Sequence, residues 1–181
     1  MNLPNILATF RILLAFMFFF FLVNFGQIFT QIHQSWINYF TALIFVIACV
    51  TDFFDGYIAR KWNQITKLGA IIDPLADKML TMAGFLGLMM LDRANAWAVY
   101  LILVREFFIT GFRVVMASDG LNVSASMIGK IKTTFQMLAI GFLIMEWIGG
   151  SVLLWVAVFL TLYSGFEYVY AYVKFIKEKK N

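Results

Sequence analysis

The feature that most constrains this chain is one long stretch without charge. Between Arg11 and Asp52, 40 consecutive residues include no Asp, Glu, Lys or Arg. Of the 181 residues, 62% are hydrophobic and only 13% are charged, and the mean hydropathy is +0.85. A soluble domain carries about 25% charged residues. The composition therefore indicates an integral membrane protein.

The apolar stretches are continuous and do not alternate with polar residues, which favours membrane helices over a barrel. Backbone groups in lipid must be satisfied internally, and helices of about 20 residues cross a core of roughly 30 Å. We expect an all-α bundle of six transmembrane helices forming a single membrane domain over residues 1–181. The helices are predicted near 5–24, 36–60, 68–91, 96–117, 127–147 and 151–176.

Positive charge is concentrated in alternate connections and in the tail, and the net charge is +4. Short cytoplasmic loops carry an excess of Lys and Arg. The protein is therefore predicted to lie in the cell (inner) membrane, with both termini and the second-to-third loop on the cytoplasmic side. The basic residues of these connections and of the tail are Arg60, Lys61, Lys67, Lys130, Lys132, Lys174, Lys177, Lys179 and Lys180. The first helix lacks a basic segment before it and is interpreted as a retained helix.

Four aspartates lie at the predicted cytoplasmic ends of the second and third helices. Asp52 and Asp55 are three residues apart and Asp73 and Asp77 are four apart, so each pair shares one face of a helix. A carboxylate at membrane depth costs roughly 2.5 to 3.5 kcal/mol. Carboxylate oxygens suit Mg²⁺ or Mn²⁺, and two such ions about 3.5–4 Å apart are a common device for displacement at phosphorus.

Small and basic residues accompany these aspartates. Gly56 and Ala59 would let a ligand or another helix approach the backbone closely. Arg60 presents a planar fork suited to phosphate oxygens. Pro74 either opens the third helix, with Asp73 as its cap, or lies within it.

The spacing of these residues resembles the signature of the CDP-alcohol phosphotransferase family. The pattern Asp-x₂-Asp-Gly-x₂-Ala-Arg-x₈-Gly-x₃-Asp-x₃-Asp matches it at every position from Asp52 to Asp77. The resemblance implies a homodimer of six-helix chains with two divalent ions, in which an alcohol displaces CMP from a CDP-linked lipid. It also implies roles for single residues: Asp52, Asp55 and Asp73 as metal ligands, Asp77 as metal ligand and general base, and Gly56, Ala59 and Arg60 as contacts of the CDP moiety.

The remaining intramembrane charges bear on the acceptor alcohol. Arg105 and Arg113 are eight residues apart on the fourth helix, and Lys130 and Lys132 open the fifth. Cations that converge on one pocket repel each other unless an anion lies between them, and an acceptor phosphate would supply it. The competing interpretation is pairing with Glu106, Glu146 or Glu167, or extension of the side chains toward headgroups.

The wider chain is similar to the branch of that family that uses sn-glycerol 3-phosphate as the acceptor. This resemblance covers Asn2–Asn5 leading to Arg11, Leu68–Leu80, Arg105–Arg113 and Gly129–Thr133. It implies that CDP-diacylglycerol and glycerol 3-phosphate give phosphatidylglycerophosphate and CMP, with Asn5 as a further contact of the CDP-lipid. One departure is Ala8, where related chains usually have Thr.

Three alternatives remain open from the sequence. One is a sibling enzyme with another acceptor, such as phosphatidylglycerol, inositol phosphate or serine. Another is a divalent-cation transporter, although the chain has no inverted repeat or interrupted helices in matched halves. The third is a purely structural membrane protein. No feature indicates a nucleic-acid partner, and neither Cys49 nor His33 is assigned a catalytic role.

Overall fold

The described part of the chain is helical, as predicted. The computed structural model describes the backbone of residues 3–61, 67–119, 121 and 127–180, and the side chains of 9–51, 78–119, 121 and 127–178. Six helices run through the described backbone, each close to its predicted position. They are α1 (Leu3–Ile28), α2 (Gln34–Lys61), α3 (Lys67–Met90), α4 (Ala96–Ser118), α5 (Met127–Ile144) and α6 (Gly150–Lys180).

Length and composition allow four described segments to cross a membrane. They are Thr9–Ile28, Gln34–Thr51, Met127–Ile144 and Gly150–Glu178, and the described part of α3 adds the shorter apolar segment Lys78–Met90. Exposed side chains in these segments are largely apolar, including Phe16, Phe159 and Phe166. Apolar surface facing outward is favourable in lipid and unfavourable in water.

The chain forms two compact units. The first comprises Met1–Arg93 and Ile140–Trp147, and the second comprises Ala94–Ala139 and Ile148–Asn181. The first unit thus contains α1, α2, α3 and the end of α5, and the second contains α4, α6 and the beginning of α5. The single domain over 1–181 stays a prediction.

In the first unit, α1 lies against both α2 and α3. Phe18 is fully buried, and its ring centre lies 5.2 Å from that of Phe45 in α2. Against α3 the contact is closer still. A Cβ atom on Gly87 would lie 2.5 Å from Cδ2 of the buried Leu22. A glycine at this position therefore lets the two helices approach.

At one end of the first unit, the Arg93 side chain links the start of α2 to the end of α5. Its Nη1 donates to Oδ1 of Asn38 at the start of α2 and to the carbonyl of Ile144 at the end of α5, both at 3.0 Å. Its Nη2 also pairs with Glu146. Burial lowers the pKa of the Arg93 guanidinium below its usual value, and the Glu146 carboxylate opposes that shift.

These contacts fix the relative direction of two helices. Because α2 begins where α3 ends, α2 and α3 run in opposite directions. Asp92 and Glu146 lie just beyond the last residues of α3 and α5 and have positive φ angles of 57° and 56°. The amides of the following residues, Arg93 and Trp147, donate back to Leu88 and Phe142. This hydrogen-bond pattern is the Schellman motif, here with acidic residues where glycine is usual.

In the second unit, α4 packs on α6. Asn95 caps α4, since its side chain accepts from the amides of Trp97 and Ala98 at 3.0 and 3.2 Å. Side-chain contacts between the two helices occur in the same order along both: Arg105 contacts Ser164, Arg113 contacts Tyr168, and Asp119 contacts Tyr172. Helices α4 and α6 therefore run in the same direction.

Candidate active site

The four predicted metal-binding aspartates lie on two helices of the first unit. Helix α2 includes Asp52 and Asp55, and α3 includes Asp73 and Asp77. Their side chains lie outside the described residues, as do those of Asn5, Ala59 and Arg60, and the surroundings of Gly56 are likewise not described. Helix α3 begins at Lys67, so Pro74 lies within the helix and not in its first turn.

Helix geometry places the two aspartate pairs at a similar distance from the Arg93 end of the unit. An α-helix rises about 1.5 Å per residue. By that measure Asp52 and Asp55 lie about 21 and 26 Å along α2 from Asn38. Asp77 and Asp73 lie about 20 and 26 Å before Met90 along α3. The antiparallel direction of α2 and α3 therefore brings both pairs to the same level of the unit.

Among the side chains that the structure describes, no group of three or more His, Cys, Asp and Glu residues could hold a metal ion. The four aspartates are not among these side chains, because theirs lie outside the described ranges. The prediction of a metal centre on α2 and α3 therefore continues to rest on their spacing and donor type.

The second unit contains a buried polar cluster among its described side chains. Glu106, on α4, is 8% exposed, and its Oε1 accepts from three side chains. They are Arg105 through Nη1 at 3.3 Å, Lys132 through Nζ, and Gln136 through Nε2 at 3.5 Å. Two cations and one carboxylate thus meet within an apolar unit, where each charge requires a partner.

Hydrogen bonds extend this cluster to α6 and close it into a ring. Gln136 Nε2 also donates to Thr161 Oγ1 at 3.0 Å, and Arg105 Nη2 donates to Ser164 Oγ at 2.8 Å. Ser164 Oγ in turn donates to the Thr161 carbonyl at 3.0 Å. Three helices are joined by a closed set of buried polar contacts, and such a set is rigid when its members are satisfied. The ring consists of Arg105, Glu106, Gln136, Thr161 and Ser164.

Arg105 is held closely by its surroundings. A Cβ atom on Gly165 would lie 3.2 Å from Arg105 Nε, so the glycine lets the guanidinium lie against α6. Arg105 Nε is buried and has no hydrogen-bond partner among the described residues. A buried donor without a partner is costly, which makes this N–H a candidate to donate to a ligand oxygen.

The other two predicted acceptor cations lie apart from the cluster in the contacts described. Arg113 is exposed, and its guanidinium carbon lies 5.9 Å from the centre of the Tyr168 ring. Lys130 is exposed at the start of α5. The structure therefore brings Arg105 and Lys132 together on Glu106, and it leaves Arg113 and Lys130 accessible.

Three members of the ring were not identified from the sequence: Gln136, Thr161 and Ser164. A signal for them was available, because Gln136 follows Lys132 by four residues and Thr161 precedes Ser164 by three. Polar residues at these spacings in an apolar helix lie on one face. Which face meets Glu106 depends on packing, and the spacing alone does not indicate it.

The chain belongs to the CDP-alcohol phosphatidyltransferase family, whose sequence model matches residues 1–163. Members of this family are membrane-embedded and generally depend on divalent metal ions. Membership confirms the resemblance drawn from the aspartate spacing, and it decides against a cation transporter or a purely structural protein.

Several similar proteins share one name, CDP-diacylglycerol–glycerol-3-phosphate 3-phosphatidyltransferase. The one from Rickettsia felis is 37% identical, over 96% of this chain and 97% of its own. The one from Escherichia coli K12 is 38% identical, over 94% of each chain. The one from Bacillus subtilis is 45% identical, over 70% of each chain.

Proposed function

We propose that this protein transfers the phosphatidyl group of CDP-diacylglycerol to sn-glycerol 3-phosphate, giving phosphatidylglycerophosphate and CMP. The acceptor hydroxyl oxygen forms a bond to the lipid-side phosphorus, and the bond from that phosphorus to the oxygen of CMP breaks. The observation that carries this proposal is the similarity, over nearly the whole chain, to relatives named for this reaction.

The donor set on α2 and α3 fits divalent ions. Asp52, Asp55, Asp73 and Asp77 offer only carboxylate oxygens, which Mg²⁺ and Mn²⁺ prefer over the nitrogen and sulfur ligands common for Zn²⁺. These four side chains would hold two ions. When bound, the ions would neutralise negative charge on the pyrophosphate of the CDP-lipid.

Protein side chains would supply the rest of the chemistry. Asp77 would take the proton from the attacking hydroxyl as the new bond forms. Gly56 and Ala59 would leave room for the CDP moiety, Arg60 would contact its phosphates, and Asn5 would contribute a further contact. Positioning of the two substrates can account for much of the rate.

The acceptor phosphate would bind to the cations of the second unit. Arg105 and Lys132 are buried beside the Glu106 carboxylate, and these three described side chains together carry one net positive charge. A phosphate would be held by charge-assisted hydrogen bonds from these two residues. Arg113 and Lys130, which are exposed, would add contacts or draw the anion toward the site.

The proposal includes a location and an assembly. The chain would lie in the cytoplasmic membrane with both termini in the cytoplasm, where the water-soluble acceptor is present. It would function as a homodimer, as the family resemblance implies.

The decisive experiment measures CMP release by the purified protein. CDP-diacylglycerol is supplied with Mg²⁺ or Mn²⁺ and, in separate reactions, glycerol 3-phosphate, phosphatidylglycerol, inositol phosphate or serine. Release with glycerol 3-phosphate alone is expected, and it should stop when a chelator removes the ions. Release with one of the other acceptors would instead identify a sibling activity. No release with any acceptor would contradict the proposal.

A further inference from the structure

The buried cluster contains a carboxylate to which the proposed reaction assigns no role. Glu106 lies between the two cations that would bind the acceptor phosphate. A site that only has to bind an anion needs no negative charge of its own. Of these three described side chains, Arg105 and Lys132 carry two positive charges, and Glu106 offsets one of them.

The carboxylate also contacts a neutral group. Gln136 Nε2 donates to Glu106 Oε1 at 3.5 Å and to Thr161 Oγ1 at 3.0 Å. This contact does not depend on a cation, so it would persist when Lys132 turns to a ligand. Glu106 therefore keeps a partner of its own beside the predicted phosphate site.

We propose that Glu106 is the charge-setting residue of the acceptor site. It is a positioning residue that keeps Arg105 and Lys132 in place when no acceptor is bound, and it limits how strongly the site attracts phosphate. This inference rests on the proposed function, because it concerns the phosphate of that acceptor.

The physical consequence is weaker binding of anions. A carboxylate beside the site weakens the binding of inorganic phosphate and of the phosphate group of the acceptor alike. The glycerol part of the acceptor must then supply the remaining affinity. One charge a few ångströms away, in surroundings less polar than water, changes binding by about tenfold or more.

Two isosteric substitutions test this in opposite directions. Glu106→Gln removes the carboxylate but keeps an oxygen that accepts from Lys132, and Gln136→Glu adds a carboxylate at the same cluster. Inorganic phosphate is the probe. Its inhibition of CMP release is measured against glycerol 3-phosphate at pH 8, and its binding is measured as thermal stabilisation of the protein without CDP-diacylglycerol. Glu178→Gln is the control, because it removes the same negative charge from an exposed residue near the end of α6.

We expect phosphate to bind at least about tenfold more tightly to Glu106→Gln and at least about tenfold more weakly to Gln136→Glu than to the unsubstituted protein. Glu178→Gln should not differ from the unsubstituted protein. Glu106→Asp, which keeps the charge, should retain weak phosphate binding. A merely structural Glu106 would lower stability or weaken binding on substitution; it would not increase affinity.

The outcomes separate this inference from the proposed function. If the unsubstituted enzyme releases CMP with glycerol 3-phosphate but Glu106→Gln binds phosphate no more tightly, the role of Glu106 is wrong. A second outcome is that no acceptor supports CMP release, while phosphate affinity still rises in Glu106→Gln and falls in Gln136→Glu. The proposed reaction is then wrong, and the role of Glu106 in an anion-binding site is confirmed. If Glu106→Gln fails to fold, as judged by size-exclusion chromatography, Gln136→Glu decides alone.

Discussion

At the scale of the residue, the main finding is how an apolar chain accommodates charge. Arg105, Glu106 and Lys132 are each at most 8% exposed, and they contact one another. Removing an ion from water costs several kcal/mol unless a partner and further hydrogen bonds compensate it. Both are present here, since α5 and α6 contribute Gln136 and Ser164. The result is a preorganised cluster with one net positive charge.

Asp77 is the residue on which the proposed proton transfer depends. We expect Asp77→Asn to fold and to bind CDP-diacylglycerol, because it keeps the size of the side chain. It should lose turnover by at least about 10²-fold, since an amide cannot accept the proton. Steady-state CMP release measures turnover, and thermal stabilisation by the lipid measures binding.

Asp92→Asn is the matched control for Asp77→Asn. Asp92 is exposed and has a φ of 57°, a conformation that Asn also adopts readily. The same chemical change there should leave turnover intact. Near-normal turnover of Asp77→Asn would remove Asp77 from the role of base.

Arg113 is exposed, so its replacement should affect binding more than folding. We expect Arg113→Ala to raise the KM for glycerol 3-phosphate more than the KM for CDP-diacylglycerol, because its charge would act on the acceptor phosphate. Initial rates with each substrate varied in turn give both constants. Lys177→Ala, also an exposed cation, is the control and should change neither. Equal increases in both constants would indicate that Arg113 acts on the structure, through Tyr168.

At the scale of the element, hydropathy predicts the helices, and glycines such as Gly87 allow neighbouring helices to approach closely. The six predicted helices are confirmed because continuous apolar segments in lipid have few alternatives to a helix. The helix ends were less predictable: just beyond α3 and α5, Asp92 and Glu146 adopt a conformation that usually indicates glycine. Arg93 contacts the Ile144 carbonyl and Glu146, and these contacts depend on how α3 and the end of α5 pack.

Gly87 offers a test of the packing between α1 and α3. We expect Gly87→Ala to lower stability by about 1–3 kcal/mol, because the added methyl group would overlap the buried Leu22. Thermal unfolding in detergent measures the effect as a lower Tm. Gly141→Ala is the control, since Gly141 lies in α5 with no atom within 4 Å of the added carbon.

Gly141→Ala should leave the Tm unchanged or raise it slightly, because alanine favours a helix over glycine. If the two substitutions shift the Tm equally, close packing of α1 on α3 does not explain Gly87.

At the scale of the whole molecule, charge distribution predicts an orientation in the membrane. The basic residues Arg60 and Lys61 end α2 and Lys67 begins α3, at the end of the first unit opposite to Arg93. The end joined by Arg93 carries Asp92 and Glu146 and has little net charge. Loops rich in Lys and Arg stay in the cytoplasm, so the two ends of the first unit should face opposite sides of the membrane.

The orientation can be measured with epitope tags. Tags at the N-terminus and at the C-terminus should both be protected in intact cells and become accessible only after the cytoplasmic side is opened. A tag in the connection between α1 and α2, near His33, should be accessible from outside. Opposite accessibility of the two termini would contradict the predicted arrangement of six crossings.

The class of protein, the helices and the family follow from local patterns in the sequence. The length of the apolar segments predicts the membrane helices, and the spacing of Asp52, Asp55, Asp73 and Asp77 carries the family signature. Which charges meet depends on the tertiary structure. The sequence allowed Glu106, Glu146 or Glu167 as partners of the cations, and the packing of α4, α5 and α6 brings Arg105 and Lys132 to Glu106. A helical repeat fixes the face on which a residue lies, but contacts between helices depend on how those faces pack.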